Sequence, residues 1–307
     1  MSHEIAEIVA GLNLPQKMIS PKYFYDERGS RLFEQICDLP EYYLTRTEIG
    51  IMRENISEMV EEIGPHVSVI EFGSGSGLKT RILLESLVEP FVYVPVDISM
   101  EHLLETAATL KDDFPGIEIL PVAADFTRPF PLPQPANMPE RNLVYFPGST
   151  IGNFEPEAAI GLLRVMHQEA GAGGALLIGV DLKKDRRMIE SAYNDSAGVT
   201  AEFNLNVLRR LNREYGSDFN LDGFRHTAIY DESSGRIEMC LVSQFDQDVT
   251  LAEHRFSFAE GEKIITEYCH KFSLEGFREL ASAAGFRHVN TWLDANQWFS
   301  IQLYGRL

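Results

Sequence analysis

The stretch Val67-Ser-Val-Ile-Glu-Phe-Gly-Ser-Gly-Ser-Gly-Leu-Lys79 constrains the fold more than any other part of the chain. It reads as a buried strand (Val67 to Phe72), a glycine loop (Gly73, Gly75, Gly77) and a helix from about Leu78. A short apolar run closed by glycines and followed by a helical pattern opens a βαβ unit. Glycine has no Cβ, so the backbone turns sharply there and a ligand can lie against it. The N–H groups at the following helix start attract polar or anionic ligand groups. A dinucleotide loop wants Gly-x-Gly-x-x-Gly or Ala. Here the last slot is Leu78, which leaves Gly-x-Gly-x-Gly after the acidic Glu71. That form suits S-adenosylmethionine (SAM), whose amino-acid end takes the place of a pyrophosphate.

The following strands extend this reading. Phe91 to Asp97 is apolar and ends in a carboxylate about 20 residues past the loop, the distance at which an acid reaches a ribose diol. The competing role for Asp97 is to cap a helix beginning near Ser99; loop and acid occurring together favour the ribose. Ile117 to Phe126 is a third strand. Asp125 could bond an adenine amino group and Phe126 stack on its ring, or Asp125 could simply begin a turn. Asn142 to Phe146 is a fourth strand, followed by a polar loop in which Gly148, Ser149, Gly152 and Asn153 should face cofactor or substrate. Gly174 to Asp181 is a fifth. The carboxyl ends of parallel strands line the ligand crevice. Lys79 opposes the dipole of its helix, a cost that a ligand carboxylate would offset.

Outside this pattern, residues 1–60 hold an aromatic-rich segment, a helix from about Ser30 with that serine as N-cap, and a second helix from Thr47 to Ile63. On spacing alone Tyr42 and Tyr43, before Thr45, Arg46 and Thr47, read as aromatic packing with surface hydroxyls. Arg187 to Tyr215 reads as one helix carrying Tyr193 and Asn194. Residues 216–272 change to a sheet-like block: a hairpin about a Ser-Gly turn, a strand from Val249 to Phe258, and the run from Lys263 to Phe272. Ser273 to Gly285 is a helix with a serine N-cap and a glycine stop. Two strands, His288 to Leu293 and Trp298 to Leu303, close the chain. The expected fold is α/β: a Rossmann-like class I sheet with a closing C-terminal strand pair, of the kind SAM-dependent methyltransferases carry, plus a smaller α+β substrate-binding domain. Residues 61–195 and 273–307 form the SAM domain in this reading, and residues 1–60 and 196–272 the substrate domain.

Composition excludes several functions. The formal charge is −19 over 307 residues. Such a chain repels phosphate backbones and anionic membranes, so neither nucleic acid nor membrane is an expected partner. Cys37, Cys240 and Cys269 form no CxxC pair. They point to a reducing compartment and to no metal centre. No signal-peptide or transmembrane run is visible. A cytoplasmic monomer acting on a small molecule is expected.

The chain resembles the histidine Nα-methyltransferase family of ergothioneine biosynthesis over nearly its whole length. The resemblance rests on Pro21-Lys-Tyr-Phe-Tyr-Asp-Glu-Arg-Gly-Ser, Leu39-Pro-Glu-Tyr-Tyr-Leu-Thr-Arg-Thr-Glu, Glu71-Phe-Gly-Ser-Gly-Ser, Phe146-Pro-Gly-Ser-Thr-Ile-Gly-Asn-Phe and Ile237-Glu-Met. It implies SAM contacts from Gly73, Ser74, Gly75, Lys79, Asp97, Asp125 and Phe126. It implies that Tyr43, Asn153 and Tyr193 act on the amino and carboxylate end of the substrate, with Gly148 beside them. It implies that Glu267, in the Thr266-Glu267 segment, accepts an imidazole N–H while Met239 walls the ring. Two residues beyond that glutamate the family pattern usually has serine; here it is Cys269, a weaker hydrogen-bond partner.

The implied chemistry is successive methyl transfer from SAM to the α-amino nitrogen of L-histidine, ending at the trimethyl betaine, hercynine. The enzyme must present a neutral amine in line with the sulfonium methyl, which is catalysis by positioning. Other readings remain. The same chemistry could act on tryptophan or another amine. A nicotinamide oxidoreductase is disfavoured by Leu78 and by the C-terminal strand pair. A non-catalytic SAM sensor would leave Tyr43, Asn153, Tyr193 and Glu267 without a substrate.

Overall fold

A computed structural model of the chain describes residues 3–73, 77–98 and 100–306. The helices are α1 (His3–Leu12), α2 (Glu27–Asp38), α3 (Tyr43–Ile63), α4 (Leu78–Ser86), α5 (Met100–Asp113), α6 (Pro156–Ala170), α7 (Arg186–Ala192), α8 (Val199–Tyr215) and α9 (Leu274–Ala283). The strands are β1 (Val67–Phe72), β2 (Val92–Asp97), β3 (Glu118–Ile119), β4 (Val122–Ala123), β5 (Arg141–Phe146), β6 (Ala175–Asp181), β7 (Phe224–Asp231), β8 (Arg236–Ser243), β9 (Gln247–Leu251), β10 (His254–Phe258), β11 (Lys263–His270), β12 (Phe286–Leu293) and β13 (Phe299–Arg306). The chain divides into two compact units. One comprises Met1–Tyr43 with Lys184–Lys271, the other Leu44–Lys183 with Phe272–Leu307.

The second unit holds an eight-stranded sheet in the order β12-β13-β6-β5-β1-β2-β3, with β4 also paired to β2. Its pairs from β6 to β3 and β4 are parallel, and β13 runs antiparallel to both β6 and β12. This is the expected parallel sheet with a closing strand pair. β1 is buried along its whole length, Ser68 and Glu71 included, as the central strand of a covered parallel sheet is. Phe72, Val94, Val96, Phe146 and Ile178 of the sheet pack with Leu162, Leu163 and Met166 of α6 and Phe277 of α9. Each such side chain contributes about 1.5–3 kcal/mol by leaving water. Strand order reverses direction about β1, the switch point at which open α/β sheets bind ligands. The third strand expected over 117–126 is two short pieces, because Leu120-Pro121 interrupts the ladder. Ser273 caps α9, its hydroxyl accepting from the Gly276 N–H at 3.1 Å.

The first unit carries a three-stranded antiparallel sheet, β11-β8-β7, and a separate β9-β10 hairpin. The expected single strand over 249–258 is therefore two, turned at Ala252, whose φ is +52°. α2 starts earlier than expected. Its N-cap is Asp26, not Ser30, and the carboxylate accepts from the Gly29 N–H at 2.7 Å. A β-carbon at Gly29 would lie 1.7 Å from the Phe24 carbonyl, so only glycine fits there. The helix expected from 187 to 215 is broken. α7 ends at Ala192, Tyr193 follows it, and Asp195 restarts the chain by accepting from the Val199 and Thr200 N–H groups at 2.9 and 2.8 Å.

Candidate functional site

The second unit gathers its predicted residues at the carboxyl ends of the sheet strands. Gly73 leaves β1 with φ +77°, and its N–H donates to the Val96 carbonyl at 2.8 Å. Ala124 donates to the Asp97 carbonyl at 2.9 Å, which holds the Asp125–Phe126 segment beside the end of β2. Phe126 packs on Phe72 and Phe146, with ring centroids 5.6 and 5.9 Å apart. A β-carbon on Gly73 would meet the Phe126 ring at 3.7 Å. Gly73, Asp97 and Phe126 are thus brought together. Asp125 is exposed and holds a turn, its Oδ1 accepting from the N–H and hydroxyl of Thr127 at 3.0 and 2.6 Å. Ser74 and Gly75 lie outside the described residues.

Lys79 has a partner that the sequence did not suggest. Its ammonium donates to Glu48 Oε2 at 2.7 Å, and Glu48 is buried to 1% exposure. The same carboxylate accepts from the Gly148 N–H at 3.0 Å. Glu48 therefore supplies the negative charge expected from a ligand alone. An ammonium has three donors, and Glu48 orients the group while occupying one. Gly148 has φ +81°, and a β-carbon there would sit 3.3 Å from Lys79 Nζ. The positive φ favours glycine, and a side chain there would also nudge the Lys79 ammonium. Ser149 is buried, and its hydroxyl accepts from the Asp181 N–H at 2.9 Å, so its side chain serves the fold and does not face a ligand as expected. Asn153 is half-buried at the end of a 3-10 turn, Thr150–Asn153.

Glu71, behind the glycine loop, is fully interior. The Thr80 hydroxyl donates to both its oxygens at 2.9 and 2.7 Å, and the Tyr93 phenol donates to Oε2. Burial pushes its carboxyl up to about 7, against the pull of Tyr93, Thr80 and Lys79. It ties β1 to α4 and β2, which fixes where the loop leaves the sheet.

The cradle fits SAM on its own geometry. The backbone has positive φ on both sides of residues 74–76, at Gly73 (+77°) and Gly77 (+74°), where only glycine turns cheaply. An aromatic ring, a carboxylate and an oriented ammonium stand on the same rim.

The first unit holds the remaining residues. Tyr193 follows α7, and its carbonyl accepts from His226 Nε2 at 2.9 Å. His226 Nδ1 then accepts from the Asn204 amide at 2.9 Å, which defines a neutral ring. Burial lowers the pKa of His226 in the same direction. The Tyr193 hydroxyl lies 3.0 Å from Cys269 Sγ. Lys271 donates to that hydroxyl at 2.8 Å and to Cys269 at 3.3 Å. Its ammonium also stands 4.6 Å from the Tyr193 ring centroid. Tyr193, Cys269 and Lys271 are all buried.

Glu267 faces Met239 in the β11-β8 ladder. Thr266 donates to the Met239 carbonyl at 3.1 Å and so serves the sheet. The Glu267 carboxyl is 8% exposed, and burial lifts it to about 7 against the charge of Lys271. Among the described residues no hydrogen bond satisfies this carboxyl. Its oxygens are not among the sealed, unpaired side-chain atoms of the described residues, so a ligand donor can reach them.

Tyr43 and its neighbour are placed differently from each other. The Tyr43 hydroxyl accepts from Lys184 at 2.8 Å, with the ammonium 4.4 Å from the ring centroid. Tyr42 is the one beside Tyr193, at 6.2 Å between centroids. Burial, then Cys37 and Cys269, pushes the Tyr42 phenol well above its usual pKa. Sequence reasoning missed Glu48, Tyr42, Lys184 and Lys271. Only Glu48 and Tyr42 carried a signal, as members of the Leu39–Glu48 family stretch.

Residues 4–306 match the family model described as histidine-specific methyltransferase, SAM-dependent. The chain is 39% identical to a histidine N-alpha-methyltransferase of Mycolicibacterium smegmatis, covering 97% of this chain and 93% of that protein. It is 36% identical to the protein of the same name from Mycobacterium tuberculosis, at the same coverage. Ergothioneine biosynthesis protein 1 of Neurospora crassa is 33% identical over 89% of this chain and 32% of its own length. Among solved structures, a SAM-dependent methyltransferase from Clostridium acetobutylicum shares the fold. Its TM-score is 0.51 at 11% identity, over 90% of this chain and 98% of that one.

Proposed function

The chain belongs to the SAM-dependent, histidine-specific methyltransferase family, and we propose how its residues perform that chemistry: methylation of the α-amino nitrogen of L-histidine, repeated to the trimethyl betaine hercynine. The sheet unit is the SAM-binding part and the other unit the substrate-binding part. When bound, SAM supplies an electrophilic methyl group on its sulfonium. Gly73 lets the cofactor lie against the backbone, Asp97 takes the ribose hydroxyls, and Phe126 covers the adenine with Asp125 at its edge. Lys79, steered by Glu48, takes the carboxylate of the methionine end.

Glu267 carries the substrate assignment. A buried carboxyl with no donor of its own selects a ring bearing an N–H, and Met239 opposite it supplies the apolar wall. Tyr193 and Asn153 hold the amino and carboxylate end, with Tyr43 and Gly148 in the same service. The work left to the protein is orientation: keeping the amine neutral, with its lone pair on the line of transfer. The described cysteines are free, in keeping with a reducing compartment, and we place the enzyme in the cytoplasm. No described helix is long and apolar enough to cross a membrane.

Mass spectrometry of L-histidine incubated with the protein and SAM tests the reading, with L-tryptophan and no-substrate controls. Three successive methyl additions to histidine are expected. A protein that binds SAM yet methylates only another amino acid would overturn the histidine assignment and point to Cys269 as the altered reader.

A further inference from the structure

Lys271 is the least expected side chain of the substrate unit. It is 2% exposed, follows β11, and donates to two side chains of the proposed amino-acid site, Tyr193 and Cys269. A buried ammonium is costly and is retained where its donors have fixed acceptors. Tyr193 Oη is one such acceptor. A phenol carries one proton and accepts through oxygen. Once Lys271 fills the acceptor side, the Tyr193 proton is turned away from the lysine, toward Cys269 or toward a ligand. A donor suits the carboxylate; given to the amine it would occupy the lone pair that must attack the methyl group. The His226 ring holds the Tyr193 carbonyl, so the residue is held at its backbone as well as at its hydroxyl.

We infer that Lys271 is a positioning residue for the amino-acid substrate, fixing the Tyr193 hydroxyl as a donor to the substrate carboxylate. The inference rests on the reading of Tyr193 as a substrate residue. The bare amine histamine gains nothing from this arrangement.

The test is steady-state kinetics on K271M, K271Q, Y193F and the K271M/Y193F double variant, with SAM binding measured by calorimetry. K271M is expected to raise KM for histidine about 10- to 100-fold, the worth of one charge-assisted hydrogen bond. kcat should change less, and SAM affinity should stay within about twofold. K271Q, which keeps an N–H donor, should recover part of the loss. In the Y193F background K271M should add almost nothing, since its route to the substrate is already gone. Histamine binding should be equal in wild type and K271M. A K271M protein with wild-type KM overturns the inference, as does a loss of equal size in both backgrounds, which marks Lys271 as merely structural. If K271M fails to bind SAM, K271Q and K271Q/Y193F carry the comparison, and a loss of equal size with and without Y193F is equally fatal. A wild-type chain that leaves histidine unmethylated overturns the parent reading and this one with it. A wild type that methylates histidine beside an unaltered K271M overturns only the role of Lys271.

Discussion

Glu71 and Glu267 sit in different units, both buried, both with carboxyls lifted to about 7 by loss of solvent. Their surroundings are opposite. Glu71 receives Thr80 at both oxygens and Tyr93 at one, so its donors come from the adjacent helix and strand. Glu267 receives no hydrogen bond from the described residues and feels only the charge of Lys271. The same residue type at the same depth therefore does two jobs. With donors supplied by the fold, a buried carboxyl is an internal tie. Without them it is an acceptor held ready for a ligand, at a standing cost to stability. Glu48 is a third case, tying Lys79 and the Gly148 N–H and thereby setting the direction of the cation proposed to meet the cofactor.

The comparison breaks hardest at Glu48. Glu48→Ala leaves the Lys79 ammonium without its carboxylate and the Gly148 N–H without an acceptor. The expected loss is about 3 kcal/mol, at the low end for a broken buried pair because Lys79 is one-fifth exposed. Urea denaturation measures it. A loss below about 1 kcal/mol would mean that solvent replaces the pair and that Glu48 is no anchor.

The two carboxyls separate by pH. Glu267 rises from an ordinary 4.5 to about 7 in the folded chain. Its folded form is fully stable below pH 4.5 and loses stability as pH climbs through 7, because the unfolded chain ionises more easily. The full loss is about 3 kcal/mol. Glu267→Gln, measured without ligands, should therefore be more stable than wild type at pH 8 and near equal at pH 5. Glu71→Gln should gain much less at pH 8, since it forfeits a charged acceptor for Thr80 and Tyr93. Equal gains would erase the distinction. Ionised Glu267 is also the better acceptor, so KM for histidine should fall as pH rises through 7.

The partition of cofactor and substrate is sharpened by a crossed pair. Asp97→Ala should raise KM for SAM about 10- to 100-fold, the cost of losing a charged hydrogen-bond partner, and leave that for histidine within about threefold. Glu267→Ala should do the reverse. Both constants moving together in either variant would sink the division of labour.

The placement of the proposed cofactor residues at one rim was legible in sequence because its signals are local. Gly73, Asp97 and Phe126 each follow a strand, and strand ends of a parallel sheet meet at one rim whatever the loops do. The Lys79–Glu48 tie was not legible, since it joins residues 31 positions apart through tertiary packing alone. The substrate half was legible only by resemblance. Nothing in the spacing of Tyr193, Met239, Glu267 and Cys269 announces a site. They converge because the helix break after Ala192 leaves Tyr193 beside Cys269 and an antiparallel ladder sets Met239 opposite Glu267. Lys271 was invisible for the same reason, a lysine on a strand end being ordinarily a solvated one.

Cys269→Ser should have the smallest effect. The sulfur stands 3.0 Å from the Tyr193 hydroxyl and 3.3 Å from Lys271, so those two groups are among its partners. A serine hydroxyl is the better acceptor but sits closer to the backbone and farther from both, and these changes oppose each other. The net change should stay under about 1 kcal/mol, or roughly fivefold in KM for histidine. The informative readout is the ratio of KM values for histidine and tryptophan. If serine lowers the histidine value tenfold and leaves tryptophan alone, the position reads the ring directly, and the thiol is a specificity change. If both values hold, position 269 only spaces Lys271 from Tyr193, and Glu267 alone distinguishes one ring from another.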